Sequence, residues 1–150
     1  MNISIRKAQR KDSQDILRLI NELAEFEKLQ PPDKDANNRL IKHAFGKNPL
    51  FDLLIAKIGK KTVGYALYFF TYSSFLARKS LYLEDIYVSR ETRNIGAGAL
   101  LFKELVKIAG NNKCGRIEWC VLRWNKKAIN FYKKFGAKEL KEWKYYRISL

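Results

Sequence analysis

Apolar and polar positions alternate in ISIRKA (3–8), the period of a strand with one face covered. The spacing then lengthens. In SQDILRLINELAEFEKL (13–29), Ile16, Leu19, Ile20, Leu23 and Phe26 recur at three- and four-residue steps. This predicts an amphipathic helix, capped by Asp12 or Ser13 and ended by Pro31 and Pro32. DKDANNRLIKHAFG (33–46) predicts a second helix, closed by Gly46 and then Pro49. Two β-rich runs follow, LFDLLIAKI (50–58) and TVGYALYFFTY (62–72), with Gly59-Lys60-Lys61 as a hairpin turn between them. SSFLARKS (73–80) reads as a loop and LYLEDIYV (81–88) as a strand. GALLFKELVKIAG (98–110) is a helix stopped by Gly110 and Asn111, and RIEWCVL (116–122) is a strand. KKAINFYKKF (126–135) is a short helix ended by Gly136, and KYYRISL (144–150) is a last strand.

The order β-α-α-β-β-β-α-β-α-β specifies an α/β (α+β) fold, a mixed and mostly antiparallel sheet flanked by helices. No repeat, linker or low-complexity tract interrupts it, so residues 1–150 are expected to form one domain.

Composition excludes several chemistries. A hydrophobic content of 47% supplies a packed interior and argues against disorder. His43 is the only histidine, which leaves no His-based metal site, Ser-His-Asp triad or Cys-His dyad, and no metal is expected. Cys114 and Cys120 fit neither a disulfide framework nor a zinc site and read as reduced core residues. MNISIRKAQRKD has no apolar leader, and no run approaches the ~18 apolar residues of a spanning helix. A soluble cytoplasmic protein is expected, without membrane association.

Charge changes the picture. The net charge is +15 and the pI near 9.9. From Leu105 onward twelve Lys/Arg face only Glu118, Glu139 and Glu142. Such a balance suits nucleic acid, an anionic membrane surface or a phosphorylated ligand, and equally a Lys-rich solvated surface.

Gly96 and Gly98 then matter, because they open a helix shortly after a strand. Residues without Cβ at such a place let an anion approach the backbone N–H groups, although a helix entry with no ligand is the plainer alternative. The dinucleotide fingerprint does not fit. Leu101 stands where a third glycine belongs, and residues 89–95 separate the motif from its strand, even though Glu118 has the spacing of a ribose-binding acid. No GxxxxGK[ST] P-loop exists.

Arg93-x-x-Gly96-x-Gly98 resembles the R/Q-x-x-G-x-G/A motif of the GCN5-related N-acetyltransferases, whose order of elements is also the one above. Trp124-Asn125-x-x-Ala128-Ile129-x-Phe131-Tyr132-x-x-x-Gly136-Ala137 resembles that family's later motif. ILRLINELAEFEKL (16–29), FFTYS (69–73) and YLEDIYV (82–88) are similar to the spermidine/spermine acetyltransferases, especially the branch described as acting on thialysine and related diamines. The resemblance covers residues from about 3 to 143.

It implies transfer of acetyl from acetyl-CoA to a primary amine of a small diamine, polyamine or lysine-like substrate, by direct attack on the thioester. Arg93, Asn94, Ile95, Gly96, Ala97, Gly98 and Ala99 would hold the pyrophosphate. The backbone of Ile86, Tyr87 and Val88 would pair with the pantetheine and polarise the acetyl carbonyl. Asn125, Lys126, Lys127 and Ala128 would touch the cofactor, with Lys134 and either Arg90 or Arg93 near its phosphates. Glu84 matches the acid that deprotonates the amine through a water, and Asp85 adds charge for a cationic substrate. Tyr132 matches the acid that protonates the leaving thiolate. Phe26, Glu27, Glu118, Trp119 and Cys120 match substrate-lining positions, and Glu142 is a further candidate. Without the resemblance, Glu84-Asp85 is also readable as one core-side and one solvated acid, Tyr132 as a packing aromatic, and Glu22 as part of a solvated helix face.

The sequence departs from its relatives at Asn94, where glycine is common, in the short 59–61 turn, and in ending at Leu150 without an extension that could tie a dimer. A homodimer is still the expected assembly. The +15 charge repels a polycation at long range and favours a small, less charged amine. A protein lysine or N-terminal acetyltransferase of the same fold is the alternative. A nucleic-acid module built on KEWKYYRISL is set aside, since that segment reads more simply as the last strand.

Overall fold

The alternation at the start of the chain forms strand β1 (Ile3–Lys7) in a computed structural model that describes residues 2–150. Helices α1 (Ser13–Glu27) and α2 (Lys34–Phe45) follow, then strands β2 (Asp52–Ile58), β3 (Lys61–Ser73) and β4 (Arg78–Val88). Helix α3 (Ala97–Asn111) leads to β5 (Arg116–Trp119), and α4 (Lys126–Lys133) comes last. Two compact units divide the chain, Met1–Trp119 and Cys120–Leu150, and all five strands belong to the first. The sheet runs β1-β2-β3-β4-β5, antiparallel up to β4 and parallel between β4 and β5, which is the mixed sheet expected.

The helical stripe of α1 buries Ile16, Leu19 and Ile20 against Leu53, Ile55, Tyr65, Leu67 and Tyr87 of the sheet. Gly64, next in line to Tyr65, points the opposite way, toward Leu101 of α3. The two helices therefore cover opposite faces. Helix α1 stops before the prolines: Lys28 turns left-handed (φ 58°) and its N–H returns to the carbonyls of Ala24 and Glu25, a helix stop that needs no proline. Asp12 stands at the N-cap of α1 but spends its carboxylate elsewhere. It accepts from the Arg6 guanidinium at 2.8 and 2.9 Å and from the Gln9 N–H at 2.7 Å. The Arg6 contact holds the Asp12 carboxyl below the usual carboxylate range.

Three expectations are corrected. Residues 78–80, read as loop, extend β4, since Arg78 pairs with Ser73 across a tight 74–77 turn. Their polar composition conceals a ladder that side chains also support, with Arg116 donating to the Ser80 hydroxyl at 3.2 Å and the Lys79 ammonium 5.2 Å from the Phe70 ring. The segment 144–150 is not a strand. Alternation specifies a strand only where a neighbouring edge completes its hydrogen bonds, and Trp143, Tyr145, Tyr146 and Ile148 are all largely exposed. Of the two cysteines read as core residues, Cys114 is half-buried and Cys120 exposed.

Gly64 is a packing requirement. A Cβ there would lie 2.8 Å from the carbonyl oxygen of Tyr87 and 3.2 Å from the Val88 side chain. Gly64→Ala should therefore lower unfolding free energy by about 1–3 kcal/mol in urea titration. An unchanged midpoint would contradict this close approach of β3 to β4.

Candidate active site

The geometry of the site begins with one surplus residue. Leu67 faces Asp85 and Tyr68 faces Leu83, so Glu84 is the extra residue of a β-bulge in β4. On the other side of β4, the parallel ladder to β5 ends at Leu83 and Trp119. Among the described residues, the strand from Asp85 to Val88 is thus paired with β3 only, and no strand of the sheet completes its second edge. β5 stops at Trp119, short of the predicted Leu122, where its ladder to β4 also ends, one residue before the bulge.

Past the bulge, Asp85 meets Tyr65. The Tyr65 hydroxyl, on a fully buried ring, donates to Asp85 Oδ2 at 3.0 Å. Burial pushes the Asp85 carboxyl up to about 6. The Tyr65 hydrogen bond works against that rise, and the negative charges of Glu84 and Glu27 add to it. Burial also raises Glu27, and it holds the Tyr65 phenol well above its usual value together with the Asp85 charge. Glu84 itself is exposed. The structure therefore brings together Glu27, Glu84 and Asp85 of the expected substrate residues and adds Tyr65.

The next group anchors the loop after β4. Arg93 donates from Nε to the Val88 carbonyl at 3.2 Å, and its guanidinium lies 4.9 Å from the Phe26 ring and 5.4 Å from that of Tyr87. Phe26, expected at the substrate, is thus stacked on a residue of the cofactor motif. Ser89 fixes the loop start: its N–H reaches Val63 O at 2.8 Å, and its hydroxyl reaches Glu22 Oε2 at 2.9 Å. Glu22 also accepts from Arg18 at 2.7 Å, so it is a buttress for this loop rather than part of a solvated face. Asn94 adopts φ 67°, a left-handed conformation that asparagine tolerates better than most residues with a side chain. Gly96 adopts φ 92°, and a Cβ there would meet nothing within 4 Å, which leaves the approach to the helix end open. Helix α3 then starts at Ala97, and the N–H groups of Ala97, Gly98 and Ala99 have no partner within the helix. Ile86 and Val88 are half-buried and Tyr87 buried on the unpaired stretch of β4.

Glu118 is ion-paired with Arg116 at 2.9 Å, and Trp119 packs edge-on to Phe102 with ring centres 5.4 Å apart. Both lie on β5, where Glu118 registers with Tyr82 and Trp119 with Leu83. Arg90 is exposed and Ile95 half-buried in the loop before α3, and the remaining expected residues belong to the second unit. There the Asn125 side chain caps α4 by accepting from the Ala128 N–H at 3.2 Å, with Lys126 and Lys127 in the first turn. Tyr132 is buried beside Phe131, Lys134 is the exposed residue ending α4, and Cys120 is exposed. Tyr65, Ser89 and Arg18 were not singled out in the sequence. Alternation places Tyr65 on the same face as Leu67, but its partner depends on the bulge register.

Comparison with known proteins gives a consistent result. The model of the acetyltransferase (GNAT) family matches residues 14–137. Thialysine N-epsilon-acetyltransferase of Mus musculus is 44% identical over 146 residues, 92% of this chain and 85% of that one. Spermidine/spermine N(1)-acetyltransferase-like protein 1 of Homo sapiens is 41% identical over 143 residues, 91% of this chain but 20% of that one. An integron cassette protein from V. cholerae superposes with a TM-score of 0.86 at 26% identity, covering 99% of this chain and 93% of that one.

Arg93→Met keeps an apolar stem but removes the charge stacked on Phe26 and Tyr87 and the donor to Val88. It should cost about 1–2 kcal/mol of stability, measured by chemical denaturation. A loss no larger than that at an isolated surface arginine would show that the loop is anchored elsewhere.

Proposed function

The chain belongs to the acetyltransferase (GNAT) family, and from that premise we propose that it transfers the acetyl group of acetyl-CoA to a primary amine of a small diamine, polyamine or lysine-like molecule. One observation carries the reading. A strand edge left unpaired from Glu84 to Val88 lies between an acidic cluster and the N-terminus of α3 on the same chain segment.

Residues of this segment suit acetyl-CoA, which supplies the activated thioester. The first-turn N–H groups of α3 and the open side of Gly96 favour a diphosphate. The edge of β4 at Ile86, Tyr87 and Val88, which has a strand on one side only, is suited to a chain of amides and to a developing oxyanion. Arg93 contributes by holding the loop, while Asn94 and Ile95 shape its turn. In the second unit, Asn125, Lys126, Lys127, Ala128 and Lys134 complete the cofactor side of the reading, and Tyr132 is its acid for the leaving thiolate. These roles rest on the family resemblance.

A free alkylammonium has a pKa of ~10.4, so the amine must lose a proton before it attacks. The reading gives this task to the adjacent acids of β4. Glu27, Glu84 and Asp85 also supply negative charge for a cationic substrate, and Phe26, Glu118, Trp119 and Cys120 complete the substrate side. The Mus musculus relative, a thialysine N-epsilon-acetyltransferase, supports a lysine-like amine. A cytoplasmic homodimer, with no nucleic acid as partner, belongs to the same reading and is supported by the resemblance alone.

A CoA-release assay with thialysine, lysine, putrescine, spermidine and a basic peptide tests it. The expected result is turnover of the small amines, with kcat/KM for thialysine or putrescine above that for spermidine by about tenfold at low salt, given the repulsion of a polycation by the +15 protein. Turnover of the peptide alone would transfer the chain to the protein acetyltransferases.

A further inference from the structure

The two acids of β4 occupy unlike environments, and the bulge is the reason. Glu84 is the surplus residue and stands in solvent. Asp85 is drawn back toward the sheet, where the hydroxyl of the fully buried Tyr65 fixes one carboxylate oxygen at 3.0 Å. The Tyr65 contact engages Oδ2, and the step below is assigned to the carboxylate so held. A base must be held in one orientation and be ionised yet able to accept a proton at working pH. A solvent-exposed carboxylate such as Glu84 has no such partner to fix its orientation.

We propose that Asp85, positioned by Tyr65, is the group that takes the proton from the substrate ammonium, and that Glu84 serves only to attract the cation. This rests on the acetyltransferase reading and moves to Asp85 the role that family resemblance gives to Glu84. The charged and titratable groups facing Asp85 are Tyr65 from β3, Glu27 from α1 and Glu84 from β4. Tyr87 lies next to Tyr65 and is itself set between Glu22 and Arg93.

In the step, the Asp85 carboxylate accepts one proton from the ammonium. The freed nitrogen lone pair forms the C–N bond at the thioester carbonyl. On collapse the C–S bond breaks, its electron pair leaves with sulfur, and sulfur is protonated by the acid assigned to Tyr132. The second proton lost by nitrogen restores that acid. One ammonium and one thioester thus give one acetamide, one thiol and one proton released through Asp85.

Burial holds the Asp85 carboxyl near 6, so kcat/KM should fall as pH drops below that value. Tyr65 stabilises the ionised form by its hydrogen bond, so Tyr65→Phe should move this acidic limb to higher pH. Glu27 opposes ionisation, so Glu27→Gln should move it lower. A merely structural role for either residue predicts no such pair of opposite shifts.

The test is a pH profile of CoA release for the full chain and four variants, with acetyl-CoA affinity and thermal melting measured on each. Asp85→Asn, which is isosteric and can still accept from Tyr65, should lose about 10²–10⁴-fold in kcat/KM while binding acetyl-CoA normally. Glu84→Gln should raise KM for the amine severalfold and leave kcat within about twofold. If Asp85→Asn fails to fold, the opposite shifts in Tyr65→Phe and Glu27→Gln decide the matter. A Glu84→Gln loss as large as that of Asp85→Asn, or an acidic limb unmoved in both other variants, overturns the proposal. Wild-type protein that binds acetyl-CoA but acetylates no amine would instead sink the underlying reading, and this assignment with it.

Discussion

Glu84 is one residue too many for the ladder it occupies, and much of the site follows from that. Continued pairing with β5 would close the edge of Ile86, Tyr87 and Val88. That pairing ends at Leu83, one residue before the bulge, and leaves a stretch of backbone whose hydrogen-bonding groups have a strand on one side only. An exposed strand edge is ordinarily a liability for aggregation. Here it lies beside charged groups and a helix N-terminus, so it is better suited to a ligand rich in amides and phosphates than to another strand. The same surplus residue separates two neighbouring acids into one solvated and one held by Tyr65.

A second set of contacts ties the substrate side to the cofactor side. Arg93 belongs to the stretch that resembles a phosphate-binding motif, yet its guanidinium stacks on Phe26 of α1 and on Tyr87 of β4. Such contacts contribute about 0.5–2 kcal/mol each, more when shielded from water. Glu22 works in parallel, bridging Arg18 and Ser89 at the start of the loop. The loop is thus braced by α1 before any ligand arrives, which limits the ordering that binding must achieve.

The sequence made the helices and most strands legible because their hydrophobic periods are long and clean, as in Ile16–Phe26 or the β3 segment. The glycine turn before α3 and the acidic strand were legible through their motifs. What could not be read depends on register or on long-range contact. The bulge needs the pairing of Leu67 and Tyr68 with β4, and the Tyr65–Asp85 bond follows from it. The true end of α1 lies in a left-handed Lys28 rather than in the prolines beyond it. The alternating tail at 144–150 shows the converse: a strand-like pattern forms no strand where no edge receives it.

The net charge of +15 and the acidic cluster are complementary rather than contradictory. A basic surface suits a ligand carrying several phosphates, while Glu27, Glu84 and Asp85 form a local negative cluster that, on the proposed function, would hold the amine at short range. The central claim is that the unpaired edge of β4 and the first turn of α3 receive acetyl-CoA together. Amide hydrogen–deuterium exchange with and without saturating acetyl-CoA tests it most directly. The account predicts slowed exchange both in 86–88 and in 96–99. Tight binding that protects neither segment would contradict it.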